Sequence, residues 1–367
     1  MIKATVTPDM LKRISAIEEC RFRVSNVKLP ALAMNRLRKN SKKKSSYASN
    51  KIEGNPLTER QADDAIDRDP HRHFLKPEQE VRNYFSALSF LEGKLGEDAP
   101  VTVEFILEVQ AIVEKGAPEE KIGLRGPMPP GVLFAVYDSQ TGSPDYIPPD
   151  SSEVPTLLRE LEGYIAKTDD HPLIVAAVTH YQLVTIHPFE DGNGRTARLV
   201  SGYILDRSGY GFQGIGSLEE YFAYDPDEYY ASLQMELPAL YYDGREDPPH
   251  SEIWIDYFLR MVELYAGKAA SLASGAVEAD VGAGLVRLNP KEKGLLAHLL
   301  EHGVREYAPI DVSRALGVTN RTVINWTAAL VENGFVEPVL SGQRIRSYVL
   351  TGYSRANGDE ILALLGR

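Results

Sequence analysis

The stretch His187-Pro188-Phe189-Glu190-Asp191-Gly192-Asn193-Gly194-Arg195-Thr196-Ala197-Arg198 sets a base, a carboxylate, two glycines and two arginines close together. Pro188 ends any helix that reaches it, because its ring and missing N–H break the hydrogen-bond ladder, and so His187 is left at that helix's end. Gly192 and Gly194 flank Asn193 where a new helix begins. Lacking Cβ atoms, they let backbone N–H groups close on an anion at a helix N-terminus. Arg195 and Arg198 are three apart on the new helix, so both guanidinium groups can face one anion. Asp191 is a hard oxygen ligand suited to Mg²⁺ held together with phosphates. A base, an anion nest, a metal carboxylate and two arginines at this spacing describe phosphoryl or nucleotidyl transfer.

Working outward, residues 172–186 form an apolar helix that runs straight into this stretch. Residues 77–95 place Val81, Tyr84, Phe85, Leu88 and Leu91 at helical spacing, and residues 101–115 and 155–167 follow the same period. Between them, residues 123–149 are rich in Gly and Pro. They hold a β-like run at 132–137, a turn at 139–143 and a second run around Tyr146, which predicts a hairpin embedded in helices. Further helices are expected at 219–222, 228–240 and 252–270. The small residues of 271–284 read as an interdomain linker or a weakly packed helix end. Lys42, Lys43 and Lys44 followed by Ser45 and Ser46 read as a solvated loop. From residue 288 to 350 the order is helix, helix, short turn at 317–319, helix, hairpin, which is that of a winged helix-turn-helix.

The bulk composition narrows the functional classes. With 367 residues, 43% hydrophobic and 25% charged, the chain has the make-up of an ordinary soluble globular protein of several domains. A net charge of −12 argues against a whole-molecule polyanion binder. Cys20 is the single cysteine, which excludes an intramolecular disulfide and fits a reducing compartment. No apolar run is long enough to span a bilayer and the first residues do not read as a signal peptide, so the expected location is cytoplasmic, with no membrane contact.

The stretch at 187–198 matches HPF-x-(D/E)-GNGR-x-x-R at every fixed position, and in this it resembles the Fic family. The resemblance implies a protein adenylyltransferase that moves AMP from ATP to a Tyr, Ser or Thr hydroxyl of a target protein and releases pyrophosphate. It implies that His187 deprotonates the hydroxyl and that Asp191 binds Mg²⁺ bridging the α- and β-phosphates. Gly192, Asn193, Gly194 and Arg195 would hold the phosphates, and Arg198 would reach the γ-phosphate. Phe189 reads as a packing anchor for the loop. The related phosphotransferase branch replaces the second glycine by lysine, and Gly194 argues against it here. At Val184 relatives often carry an acidic residue, a departure for which only a structural consequence is expected.

Ser49-Asn50-Lys51-Ile52-Glu53-Gly54 matches the family's inhibitory pattern, (S/T)-x-x-x-E-(G/N). In that reading Ser49, Glu53 and Gly54 form an inhibitory element in which Glu53 pairs with Arg198 and takes the place of the γ-phosphate. The hairpin from Val132 to Ile147 resembles the family's flap, which holds a target segment as an added strand. Gly123 and Arg125 just upstream also fit the family. Tyr229, preferred over Tyr230, is the expected nucleobase contact; a core role competes closely with that reading. The resemblance covers residues 49–239, and the tail lies outside it.

The fold expectation is therefore mainly α: a Fic helical core with a β-hairpin flap, plus a C-terminal winged helix-turn-helix domain. The expected divisions are a helical region with the inhibitory pattern (1–100), the Fic core (101–215), a helical connection and linker (216–284) and the winged helix (285–367). Two other functions stay open. One is a nucleotide-sensing transcription regulator; the other is removal of AMP by the same residues. Residues 291–350 hold seven Lys/Arg against six Asp/Glu, with Arg321 alone near the start of the presumed recognition helix. That is poor phosphate-binding capacity, so protein contact or a homodimer is favoured for the tail over DNA.

Overall fold

The computed structural model describes residues 2–27, 29, 31–132, 134–137, 144–237, 248–341 and 344–366. The order is α1 (Pro8–Asn26), α2 (Ala31–Ile52), α3 (Glu59–Asp67), α4 (Lys76–Gly96), α5 (Val103–Val113), β1 (Val136–Tyr137), β2 (Pro144–Tyr146), α6 (Val154–Lys167), α7 (Pro172–Ile186) and α8 (Asn193–Arg207). Then come α9 (Glu219–Phe222), α10 (Pro226–Gln234), α11 (Ser251–Arg287), α12 (Pro290–Glu301), β3 (Glu306–Tyr307), α13 (Pro309–Leu316), α14 (Asn320–Glu332), β4 (Val336–Ser341), β5 (Arg344–Leu350), α15 (Gly352–Ala356) and α16 (Gly358–Leu364). The protein is mainly helical, and it divides into one compact unit of residues 1–21 and 37–269 and another of 22–36 and 270–367.

In the first unit α7 is the central rod. Its sequence is apolar all round rather than on one stripe, and almost every side chain from Leu173 to Ile186 is buried. Pro172 at its first turn suits the fixed φ of a helix start, and the His171 side chain accepts the Leu173 N–H as a cap. Trp254 of α11, fully buried, donates its indole N–H to Ala177 O at 2.8 Å. Helix α8 packs along α7, and α4 and α5 lie against α8. The Phe105 and Tyr203 rings meet at 4.7 Å across the α5–α8 seam.

One expectation changes here, and one alternative is taken up. Lys42, Lys43 and Lys44 do not form a loop; they lie in α2 and pair with Glu92 (2.9 Å), Asp67 (2.7 Å) and Glu220 (2.9 Å). Each partner belongs to a different stretch of chain, so the lysines tie α2 down on several sides. Residues 271–284 continue α11 as helix, and the division between units falls inside that helix. Strands β1 and β2 pair antiparallel with Val136 opposite Tyr146. The expected turn at 139–143 lies outside the described residues, as does the end of the expected helix at 228–240.

The second unit packs α12, α13 and α14 around Leu295, Leu296, Leu299, Val323, Leu330 and Phe335. A three-stranded antiparallel sheet in the order β3-β5-β4 completes it. The Tyr307 hydroxyl meets Thr327 Oγ1 at 2.9 Å within this core. Trp326 is partly buried against it. Gly317 ends α13 at φ 65°, a left-handed turn that glycine takes without steric cost, and Thr319 caps α14.

Candidate active site

The site is built where α7 stops and α8 starts. His187 caps α7 in the left-handed region at φ 50°, a conformation that costs a non-glycine residue and turns the chain sharply. Arg125, itself buried, holds this turn: its Nε donates to His187 O at 2.8 Å and its backbone N–H to Pro188 O at 2.9 Å. Its Nη2 also donates to Pro149 O. The His187 ring lies 5.9 Å from Phe134. Its Nδ1 sits 3.2 Å from Val184 O, and because a carbonyl only accepts, the proton is on Nδ1 and the lone pair on Nε2. Burial, reinforced by Arg125, pushes the imidazole pKa down to about 4. At neutral pH His187 is uncharged, as a proton acceptor must be.

Asn193 closes the loop. Its side-chain amide donates to Phe189 O at 2.9 Å and accepts the Phe189 N–H at 3.0 Å, a reciprocal pair that ties the loop's two ends. Phe189 is buried beneath it, in line with its reading as an anchor. Asn193 is expected to hold phosphate; in this structure its side chain shapes the loop. Gly192, at φ 81°, precedes α8 in the left-handed region. The first turn of α8, mostly buried, carries the positive end of the helix dipole.

Arg195 and Arg198 are both buried but serve different neighbours. Arg195 Nη2 donates to Glu114 Oε1 at 2.8 Å and to Asp191 Oδ1 at 2.9 Å. Its Nε is buried and unpartnered among the described residues. Asp191 Oδ1 also accepts the Gly192 N–H at 2.7 Å, and the Asp191 side chain keeps 35% of its surface exposed. A single half-open carboxylate beside a helix N-terminus fits a hard cation that takes its other ligands from phosphate and water. Among the described residues no cluster of three ligating side chains forms a complete protein-only site.

Arg198 Nε donates to Ser49 Oγ at 2.8 Å, while Nη2 donates to Ser49 O at 3.1 Å and to Glu53 Oε1 at 2.6 Å. Burial opposes the Arg198 charge, but the Glu53 carboxylate more than offsets it and holds the guanidinium protonated. The Glu53 carboxylate also lies over the first turn of α8: a Cβ on Gly194 would stand 2.4 Å from Glu53 Oε1. It is thus a built-in anion at a helix N-terminus, paired with the arginine of the next turn. Gly54, at φ 79°, lets the chain turn away immediately afterwards.

Tyr229, the expected nucleobase contact, takes the competing core position in this structure. It is buried among Phe222, Trp254 and Tyr257, and its hydroxyl lies 2.8 Å from His180 Nε2 and 3.5 Å from Arg198 Nη1. His180 Nδ1 in turn meets Ser201 Oγ at 3.2 Å, and Ser201 donates to Arg198 O at 3.1 Å. Since Ser201 donates its proton, His180 donates from Nδ1 and accepts the Tyr229 O–H at Nε2. Tyr229 therefore supports Arg198 from behind, and Tyr230, 47% exposed, is the tyrosine that faces outward. Glu114 carries no motif signal in the sequence. Arg125 has only the short Gly123–Arg125 match, too little to reveal that it braces the turn at His187.

Residues 100–205 match the Fic/DOC family, and the chain carries a Fic domain. It is similar to the protein adenylyltransferase Fic of Nematostella vectensis, 29% identical over 204 residues that make up 54% of this chain and 45% of that one. The chain thus spans less than half of that relative's own length. Among solved structures, a Fic family protein from Desulfovibrio desulfuricans G20 matches 96% of this chain and 98% of its own, at a TM-score of 0.56 and 23% identity. A Fic domain containing signaling protein from Bacteroides thetaiotaomicron matches 71% of this chain and 97% of its own, at a TM-score of 0.58 and 24% identity. These two likenesses speak to the fold.

Proposed function

We propose that this protein transfers AMP from ATP to a hydroxyl side chain of a target protein and that Glu53 holds the reaction back. The observation that carries the reading is a neutral His187 beside a helix N-terminus on which Glu53 already models a bound anion, 2.6 Å from Arg198.

His187 Nε2 takes the proton of a Tyr, Ser or Thr hydroxyl, whose oxygen attacks the α-phosphorus of ATP. A P–O bond to the target forms as the bond to the β-phosphate oxygen breaks, and pyrophosphate leaves in line. The Gly192 and Gly194 amides and Arg195 hold the phosphates, and Arg198 receives the γ-phosphate once Glu53 has moved aside. Asn193 keeps the loop in shape for this. Mg²⁺ on Asp191 would supply charge neutralisation between the phosphates. The target segment docks as an added strand on β1–β2, which Tyr146 ties to the end of α7 through its hydrogen bond to Thr185 O.

The second unit reads as a winged helix-turn-helix, with α14 in the recognition position and β4–β5 as the wing. Besides Arg321, its exposed face presents Ile324 and Asn325, which favours a protein or homodimer contact over DNA.

Intact-mass spectrometry after incubation with Mg²⁺ and ATP tests the reading, using wild type, Glu53→Gly and His187→Ala. AMP added to Glu53→Gly in greater amount than to wild type, and absent from His187→Ala, is the expected result. If Glu53→Gly binds ATP yet modifies neither itself nor any protein of a cell extract supplied with labelled ATP, the transfer reading fails. Equal modification by wild type and Glu53→Gly would remove Glu53 as the inhibitor.

A further inference from the structure

The guanidinium of Arg195 has a second acidic partner outside the motif. Glu114 follows α5 as its C-terminal cap, and its side chain is only 8% exposed. Buried Asn83 fixes the backbone on either side, donating from Nδ2 to Val113 O at 2.9 Å and to Lys115 O at 2.8 Å. Gln110, one turn earlier, donates to Lys121 O at 3.0 Å and accepts the Gly123 N–H at 3.0 Å. Glu114 is thereby delivered rigidly beneath the loop. A Cβ on Gly192 would lie 2.7 Å from its Oε1, so the loop rests directly on the carboxylate.

Glu114 and Asp191 share one nitrogen of Arg195, at 2.8 and 2.9 Å. The trio of buried Glu114 and Arg195 with half-open Asp191 carries a formal charge of −1. Without Glu114 the sum is zero, and Asp191 is left as the sole counter-ion of a buried arginine. A carboxylate so engaged attracts a cation poorly, because its charge is already compensated at contact distance.

We propose that Glu114 is a positioning residue that neutralises Arg195 from inside the protein, so that Asp191 keeps its negative charge for a divalent cation bound with nucleotide. This rests on the nucleotide-transfer reading. It adds a determinant of metal dependence that lies some 80 residues from the loop it serves. Glu114 touches no substrate; it acts through Arg195.

The test uses the full chain with Glu53→Gly as parent, and equilibrium binding of ATP by calorimetry with and without Mg²⁺. Glu114→Gln keeps the size and removes the charge, while Glu114→Asp keeps the charge and shortens the reach. The Mg²⁺-dependent gain in ATP affinity is expected to shrink about tenfold in Glu114→Gln, with metal-free affinity held or improved. Most of the gain should remain in Glu114→Asp. A gain in Glu114→Gln equal to that of the parent overturns the proposal and leaves the transfer reading standing. Equal losses in both variants assign the effect to packing and overturn it too. A parent that binds no nucleotide with or without Mg²⁺ overturns the transfer reading, and the Glu114 proposal falls with it. Thermal unfolding of each variant identifies any that does not fold. If Glu114→Gln is among them, the comparison is made with Glu114→Asp and half-saturating Mg²⁺, where an unchanged value supports the charge argument and a rise opposes it.

Discussion

Gly194 and Glu53 are matched by exclusion: a single added methyl at Gly194 would stand 2.4 Å from Glu53 Oε1 and 3.2 Å from Arg198 Nη1. The glycine leaves the room in which Glu53 sits on the helix end. Gly194→Ala should destabilise the wild-type protein by displacing Glu53 from a buried arginine. In a Glu53→Gly background the same change meets no carboxylate and falls in a helix, where alanine outranks glycine by about 1 kcal/mol. Its effect is then expected to be neutral or stabilising. Thermal or urea unfolding of the four proteins checks this, and a coupling below about 0.5 kcal/mol contradicts it.

The reciprocal bonds between Asn193 and the Phe189 backbone predict a cost of a different kind. Asn193→Ala removes both partners of a buried backbone pair and should lower stability by about 1–3 kcal/mol. Transfer activity should fall far more steeply than ATP affinity, because the loop loses its shape while the helix N-terminus and arginines stay. Unfolding curves and ATP titrations of the same preparation separate the two.

His187 makes a pH prediction with a definite sign. Its folded-state pKa, about 4, lies below the ordinary value of 6.5, so the native state resists protonation there. Between those values the unfolded chain binds more protons, and stability rises with pH across that window. The contribution is fully present above about pH 6.5 and is lost as pH falls toward 4. Stability profiles of wild type and His187→Gln should therefore converge on acidification and separate above pH 6.5 in wild type's favour. Activity should hold down to about pH 5 instead of halving near 6.5, which a rate profile of Glu53→Gly reads directly.

The placement of the two adjacent tyrosines gives a separable pair of variants. Tyr229→Phe removes a hydroxyl between His180 and Arg198 and should cost about 1 kcal/mol of stability, with preference among nucleoside triphosphates unchanged. Tyr230→Ala leaves the core intact and is the variant of the two in which base preference can shift. Competition between ATP and GTP for binding to each protein distinguishes them.

How much of this is legible in the chain follows from how local each feature is. The loop at 187–198 can be read outright, because its base, carboxylate, glycines and arginines are contiguous and their spacing fixes which side of α8 they share. The pairing of Glu53 with Arg198 needs the resemblance, since 145 residues separate the two. Lys42, Lys43 and Lys44 read as a solvated loop because their partners Glu92, Asp67 and Glu220 come from three distant segments. Choosing between Tyr229 and Tyr230 requires the phase of α10 against α7 and α11, which two consecutive tyrosines do not encode. Glu114 looks like any acid at a helix end until the fold brings Arg195 over it.

The lysine and serine contacts along α2 bear on how restraint by Glu53 could be lifted. Lys42, Lys43 and Lys44 hold the helix to three neighbours, Ser45 donates to buried Glu219 at 2.7 Å, and Ser49 is bound to Arg198. Glu53 follows the helix's last residue, Ile52, and precedes the left-handed Gly54. Relief then asks only for the rotation of one side chain at the helix end, with the rest of α2 left in place. Such a restraint is graded by mass action: a triphosphate present at higher concentration outcompetes a tethered carboxylate of fixed local concentration. In these terms the protein's output would follow the supply of its own co-substrate, with no second protein needed to pull the helix away.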